Sequence, residues 1–283
     1  MTTPAFTLTD EMITLIDLAL KEDVASGDVT SEAIFPTGQV SESKIVAKEQ
    51  GILCGLPLAR EVYRRIDPLI EMSIFKNDGE EVKAGDEVVR FKGPTALLLT
   101  GERTLLNFMQ RLSGIATMTA RLMKILEGTD IKILDTRKTL PGFRLLDKYA
   151  VKTGGGQNHR MGLFDMVMIK DNHIKAAGSI TEAVNQVRAK WNDRFRIEVE
   201  TTTHEEVREA VLAGADIIML DNMTTVAMEE AVEIIDRRTK IEISGNVDEA
   251  RLSKIKHIKI DYISLGALTH SVQAFDLSMK FLD

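Results

Sequence analysis

From residue 131 the sequence settles into a repeat of short apolar runs, each closed by a polar or small residue. "IKIL" is followed by Asp135, "MVMI" by Lys170, "RIEV" by Glu200, "IIML" by Asp221, "KIEI" by Ser244 and "YISL" by Gly266. Near-continuous runs of this kind belong to strands covered on both faces, as in a parallel sheet. Glu200, Asp221, Ser244 and Gly266 stand 21, 23 and 22 positions apart, the length of one strand–helix unit. Between the runs lie amphipathic stretches with capping spacing at Ser179–Glu182, Thr203–Glu206 and Asn246–Glu249. Six units in succession predict an α/β fold with a parallel sheet, and right-handed crossovers make a barrel the expected closure.

The first part of the chain is mixed. Spacing predicts helices over 10–22 and 58–66, and strands over 43–55 and 87–100. Residues 102–126 carry helical spacing, with a break expected at Ser113-Gly114 and a cap at Gly128. "NDGEEVKAGDEVV" resembles the hammerhead of biotinyl and lipoyl carriers locally, but Lys83 is not placed as their modified lysine is, so a plain β-turn is expected. The division expected is 1–113 for an N-terminal domain and 114–269 for the barrel, with the tail 270–283 packing back on the first.

Charge is distributed unevenly. The chain carries −7 overall, yet Thr136–Lys175 holds eight Arg and Lys against three Asp, with His159 and His173 additional. The acidic total argues against a general nucleic-acid or membrane-surface role. No apolar run approaches the length of a membrane span, and the first residues have no basic and apolar leader pattern. Cys54 is the single cysteine, which excludes an internal disulfide and fits a reducing, cytoplasmic setting.

In α/β barrels the carboxyl ends of the strands carry the site. That brings Asp135, Arg137, Lys138, Lys170, Glu200, Asp221, Ser244 and Gly266 together, although polar residues follow any strand as it meets water. A focused positive field attracts a polyanion with phosphates or carboxylates, while Lys148 and Lys175 are expected on a solvated helix face. "KTGGGQNHR" sets three glycines before His159-Arg160; it matches neither common nucleotide-binding glycine motif. The loops "SGN" (244–246) and "LGAL" (265–268) fall where barrels bind phosphate through backbone N–H groups. Glu200 and Asp221 beside them suit Mg²⁺, and no His/Cys cluster suggests zinc. Read from residues alone, Lys170 could also be a Schiff-base lysine, and the chain could be a non-catalytic binder.

The motifs "ERTLLNFMQRLSGIAT", "DTRKTLPGFR", "KTGGGQNHRMGL", "MIKDNHI" and "IEVET" resemble the quinolinate phosphoribosyltransferase family, from about Glu22 to the C-terminus. The resemblance implies an N-terminal α/β sandwich domain, a barrel with fewer than eight regular strands, and a homodimer with shared active sites. It implies transfer of phosphoribosyl from phosphoribosyl pyrophosphate to quinolinate with loss of CO₂, a step toward NAD. Arg103 is then expected to reach across the dimer. Arg137, Lys138, His159 and Arg160 hold the quinolinate carboxylates, with Thr136 contributing a hydroxyl or backbone contact. Lys170 lies between quinolinate and the pyrophosphate, and it or a bound water is a candidate proton donor. Glu200 and Asp221 bind ribose hydroxyls, Mg²⁺ or both. Ser244, Gly245, Asn246, Leu265, Gly266 and Ala267 cradle the 5′-phosphate. A relative in molybdenum metabolism shares this fold.

Overall fold

The structure, a computed structural model, describes residues 6–282; residues 1–5, part of the stretch read for a leader, lie outside it. The elements run α1 (Asp10–Val24), α2 (Val29–Ile34), β1 (Val40–Ala47), β2 (Gly51–Ile52), α3 (Leu56–Ile66), β3 (Glu71–Ile74), β4 (Glu81–Val82), β5 (Glu87–Pro94) and α4 (Thr95–Ile125). Then come β6 (Lys132–Leu134), α5 (Arg144–Thr153), β7 (Val167–Ile169), α6 (Asp171–Ala177), α7 (Ile180–Trp191), β8 (Ile197–Thr201), α8 (His204–Leu212) and β9 (Ile217–Asp221). The chain continues through α9 (Thr225–Ile235), β10 (Lys240–Ser244), α10 (Glu249–Ile255), β11 (Tyr262–Ser264), α11 (Ala267–His270) and β12 (Leu277–Phe281).

Two compact units result. One comprises residues up to Ala120, Leu140–Gly155 and the tail from Ser271; the other comprises Arg121–Thr139 and Gly156–His270. Residues 114–120 and 140–155, expected with the barrel, therefore pack with the first unit.

In the first unit an antiparallel sheet has the order β12-β1-β5-β3. Ile45 pairs with both Val89 and Met279, so the tail strand completes the sheet beside β1. Side chains alternate across a strand, and Ser43, Ile45 and Ala47 are buried on one face of β1. Tyr63 of α3 packs edge-on to Phe91, with ring centroids 4.5 Å apart, and donates its hydroxyl to Leu98 O at 2.8 Å. Four expectations change here. The strand over 43–55 ends at Ala47 and resumes only as the two-residue β2. The strand over 87–100 ends at Pro94, because "TALLLT" starts α4, where Ala and Leu are good helix formers. Ser113-Gly114 does not break α4, which runs unbroken for 31 residues. A Cβ at Gly114 would sit 2.0 Å from Gln273 O, so the glycine admits the tail. The Ser113 hydroxyl accepts from Cys54 N at 2.9 Å and donates to Cys54 O at 3.0 Å. Lys148, expected on a solvated helix face, is fully buried.

The second unit is a six-stranded parallel sheet of order β6-β11-β10-β9-β8-β7. Apart from the end-to-end joint, this is chain order, and the first strand pairs with the last through Ile133 and Ile263. That pairing is what a barrel requires. The seam falls instead between β6 and β7, where Gln157 forms a single parallel bridge to Leu134. The fold is thus an irregular α/β barrel with six regular strands. Thr203 and Glu206 cap α8 reciprocally, and Ser179 caps α7. Asn246 does not cap α10; Asp248 does, accepting from Arg251 N at 2.7 Å.

Candidate active site

Period-two alternation sends every second strand residue inward. Met168 and Lys170, Met219 and Asp221, and Glu242 and Ser244 are three such pairs, and all six line one cavity of about 510 Å³ at the carboxyl ends of the strands. Glu200 joins them from β8, Ser264 from β11. This size suits a small-molecule site. Thr136, Arg137, Lys138, His159, Arg160, Lys170, Glu200, Asp221, Ser244, Gly245, Asn246, Leu265, Gly266 and Ala267 all border the cavity. Arg103 does not; it is exposed on α4, in the other unit.

One wall is cationic. Arg160 is 9% exposed, with Nη1 donating to Met166 O at 3.2 Å. Burial and then the nearby charge of Arg137 push its guanidinium pKa down. Two like charges close together in a cavity are a site that an anion would stabilise. The Thr136 hydroxyl accepts from Lys138 N at 3.1 Å, and the Thr269 hydroxyl donates to Lys138 O at 2.8 Å. That ties the basic loop to α11. A Cβ on Gly266 would lie 3.0 Å from Lys138 Cδ and 3.1 Å from His270 Cδ2, so the glycine lets both side chains cross this loop.

Beneath this wall His159 Nε2 lies 2.9 Å from Glu198 Oε2 and 3.5 Å from Glu242 Oε2, with both carboxylates fully buried. Asp135 Oδ1 accepts from His159 N at 3.0 Å. Burial works to lower the imidazole pKa, but the two carboxylates outweigh it and raise it to about 9. Burial likewise pushes Glu198 up to about 6, against the pull of His159. The ring and the two carboxylates form one buried ionic cluster, in which the Glu198 contact is the shorter. Nδ1 lies 2.7 Å from Arg160 N, a contact that the neutral ring accepts. Protonating the ring releases that amide, and a carboxylate placed there could accept from both.

The opposite wall is acidic. Lys170 Nζ donates to Glu200 in a short contact, so the amine is engaged by a carboxylate of the neighbouring strand. Asp221 Oδ2 accepts from Asn222 Nδ2 at 2.8 Å. Glu200 and Asp221 stand on adjacent strands and border the cavity, a donor pair that suits a hard cation completed by substrate oxygens. Among the described residues, the grouping of three potential ligands is elsewhere, at His159, Glu198 and Glu242.

Sequence reasoning missed Glu198, Glu242, Asn222 and His270. Glu198 and Glu242 stand inside "RIEV" and "KIEI", and a charged residue within a doubly covered strand was the available signal. Asn222 and His270 follow the strand ends without a distinguishing pattern.

Family models match along the chain: the quinolinate phosphoribosyl transferase N-terminal domain over residues 28–113 and its C-terminal domain over 115–280. A probable nicotinate-nucleotide pyrophosphorylase [carboxylating] of Bacillus subtilis is 46% identical over 258 residues, 91% of this chain and 89% of that protein. A quinolinate phosphoribosyltransferase [decarboxylating] of Nicotiana tabacum is 45% identical, over 94% of this chain and 81% of that protein. The crystal structure of NadC from Streptococcus pyogenes superposes with a TM-score of 0.94 at 43% identity, covering 99% of this chain and all of that one. With both domains matched and identity of this order over nearly its full length, the chain belongs to the quinolinate phosphoribosyltransferase family.

Proposed function

We propose that this cavity is where the chain performs its family's reaction. Phosphoribosyl passes from phosphoribosyl pyrophosphate to quinolinate, with release of pyrophosphate and CO₂ and formation of nicotinate mononucleotide, a step of NAD biosynthesis. The observation that carries the assignment of sides is the crowding of Arg137 and Arg160 opposite Glu200 and Asp221 in one cavity. Quinolinate has two carboxylates, and Arg137, Lys138, His159 and Arg160 offer the charges to hold them, with Thr136 fixing the loop. Glu200 and Asp221 face the sugar. Their charge stabilises the positive C1 that develops as the pyrophosphate departs. The ring nitrogen of quinolinate then attacks C1 and becomes a pyridinium. Loss of the adjacent carboxylate leaves an electron pair beside N⁺, which takes a proton; the Lys170 ammonium is the candidate donor. The 5′-phosphate rests on backbone groups of Ser244, Gly245 and Asn246, and of Leu265, Gly266 and Ala267.

Glu200 and Asp221 are also the residues that would hold Mg²⁺. Bound there, the ion would supply neutralising charge for the leaving pyrophosphate. Arg103 serves the site of a partner copy in a homodimer, consistent with its exposure and its absence from the cavity lining. Among the described residues no helix is long and apolar enough to cross a membrane; the acidic chain is expected to work in the cytoplasm on small molecules, without nucleic acid.

The test incubates purified protein with quinolinate, phosphoribosyl pyrophosphate and Mg²⁺ and follows CO₂ and nicotinate mononucleotide by mass spectrometry. Nicotinate and nicotinamide run alongside. Turnover of quinolinate alone is expected; turnover of nicotinate at a similar rate would overturn the two-carboxylate reading. Mixing Arg103→Ala with Arg137→Ala protein should restore activity if sites are shared, and no recovery in mixed dimers would refute sharing.

A further inference from the structure

Arg251 stands on α10, outside the cavity lining, yet its guanidinium gathers three backbone carbonyls. Nη1 donates to Gly245 O at 2.9 Å and Asn246 O at 3.2 Å, and Nη2 donates to Met223 O at 2.7 Å. Two of these carbonyls belong to the loop after β10 and the third to the loop after β9. In a planar trans peptide the C=O and the following N–H point in opposite directions. Holding the carbonyls of Gly245 and Asn246 on Arg251 therefore turns the N–H groups of Asn246 and Val247 away from it. Both residues border the cavity, and neither N–H donates to another group among the described residues.

A second set of contacts joins the same loops. Asn222 adopts a left-handed backbone, φ 54°. Its N donates to Ser244 O at 3.0 Å, its Oδ1 accepts from Asn246 Nδ2 at 3.2 Å, and its Nδ2 donates to Asp221. A Cβ on Gly245 would lie 2.2 Å from Asn222 Oδ1, so this packing needs glycine there.

We propose that Arg251 is a positioning residue for phosphoribosyl pyrophosphate. It aims two backbone amides at the 5′-phosphate and, with Asn222, locks that loop to the Asp221 carboxylate. The inference rests on the reading that the 244–246 loop holds the 5′-phosphate. An arginine that merely stabilised the barrel would affect both substrates alike; one that aims this loop affects one.

The test compares Arg251→Met, Arg251→Lys and Asn222→Gly, the last keeping the left-handed backbone while removing the amide. KM for phosphoribosyl pyrophosphate and kcat are measured, together with the Kd of quinolinate in the absence of the second substrate. Arg251→Met should raise that KM about tenfold or more, from the loss of charged hydrogen bonds, with quinolinate Kd unchanged. Arg251→Lys should recover part of the loss, and Asn222→Gly should lower kcat. An unchanged KM in Arg251→Met, or an equal loss of quinolinate affinity, would overturn the proposal. If Arg251→Met does not fold, Asn222→Gly decides: unchanged kcat and KM overturn the locking of the loops. Gly245→Ala separates the two levels. If it leaves the KM unchanged, the phosphate-loop reading fails; if it raises the KM while Arg251→Met does not, only the role of Arg251 fails.

Discussion

Two buried ionic groups, one in each unit, are built on different plans. In the first unit Arg111 grips Asp147 as a fork, Nε at 2.9 Å from one oxygen and Nη2 at 2.8 Å from the other. Burial raises the Asp147 pKa and Arg111 pulls it back. In the second unit one nitrogen of His159 faces two fully buried carboxylates, at 2.9 and 3.5 Å. A bidentate fork satisfies both charges and fixes geometry. Two carboxylates against one imidazole leave a surplus of negative charge, and that surplus holds a proton on the ring. The first arrangement serves stability; the second keeps a cation beside the cavity. Removing a charge from each should thus have opposite consequences.

The largest effect is expected at the fork. Asp147→Ala removes the fully buried carboxylate that Arg111 holds, at a cost of about 3–5 kcal/mol in folding free energy. Denaturant unfolding measures this, and quinolinate Kd in the surviving folded fraction should not change. Lost affinity with intact stability would break the comparison. Next comes the cavity wall, where Arg137→Ala should remove about 2–5 kcal/mol of transition-state binding, read from kcat/KM, with unfolding unaffected. Full activity in folded Arg137→Ala protein would remove the residue from the site.

What was legible in the sequence follows the same division. The six barrel strands were readable because burial on both faces leaves apolar runs with sharp ends. Their one-sided ends named the rim: Lys170, Glu200, Asp221 and Ser244 all border the cavity. Glu198 and Glu242 were hidden because one acid does not interrupt an apolar run, although period two puts them on the same face as Glu200 and Ser244. Three identical capping signatures had different fates. Thr203 forms the reciprocal box, Ser179 caps alone, and Asn246 gives its side chain to Asn222 while Asp248 caps the helix. The local rule failed in the loop assigned to phosphate, where sites are expected to override local preference. Ser113-Gly114 and Lys148 failed for another reason. A glycine that admits a neighbouring segment and a lysine that is buried are decided by residues distant in sequence, here Gln273 in the first case. Arg251 has no signature at all, since its partners are main-chain carbonyls.

Smaller effects come from the proton on His159. Its ordinary pKa of 6.5 rises to about 9 in the folded chain. The sign follows directly: the ring is charged at neutral pH and loses its charge as pH rises through about 9. Any stability drawn from the charge is complete below 6.5 and gone above 9. Quinolinate binding, measured by calorimetry without the second substrate, should be level from neutral pH upward and then weaken by about tenfold per pH unit beyond that point. The limb precedes lysine titration, which is centred at roughly 10.4. A flat profile would mean the ring binds as the neutral form seen by the Arg160 amide.

Glu242→Gln gives the smallest change and the sharpest contrast with Asp147. One of the two carboxylates that hold the proton is gone, while the burial that opposes it remains, so the alkaline limb must move to lower pH. A shift of about one pKa unit leaves affinity near pH 7 almost untouched and weakens it about fivefold near pH 9. Stability should hold or rise, because one of two fully buried carboxylates that share a single cation is replaced by an uncharged isostere. A limb that stays in place would assign the proton to Glu198 alone. A limb that moves with a loss of several kcal/mol in stability would show that both buried groups are structural, and that the cation beside the cavity is held by a cluster the fold also needs.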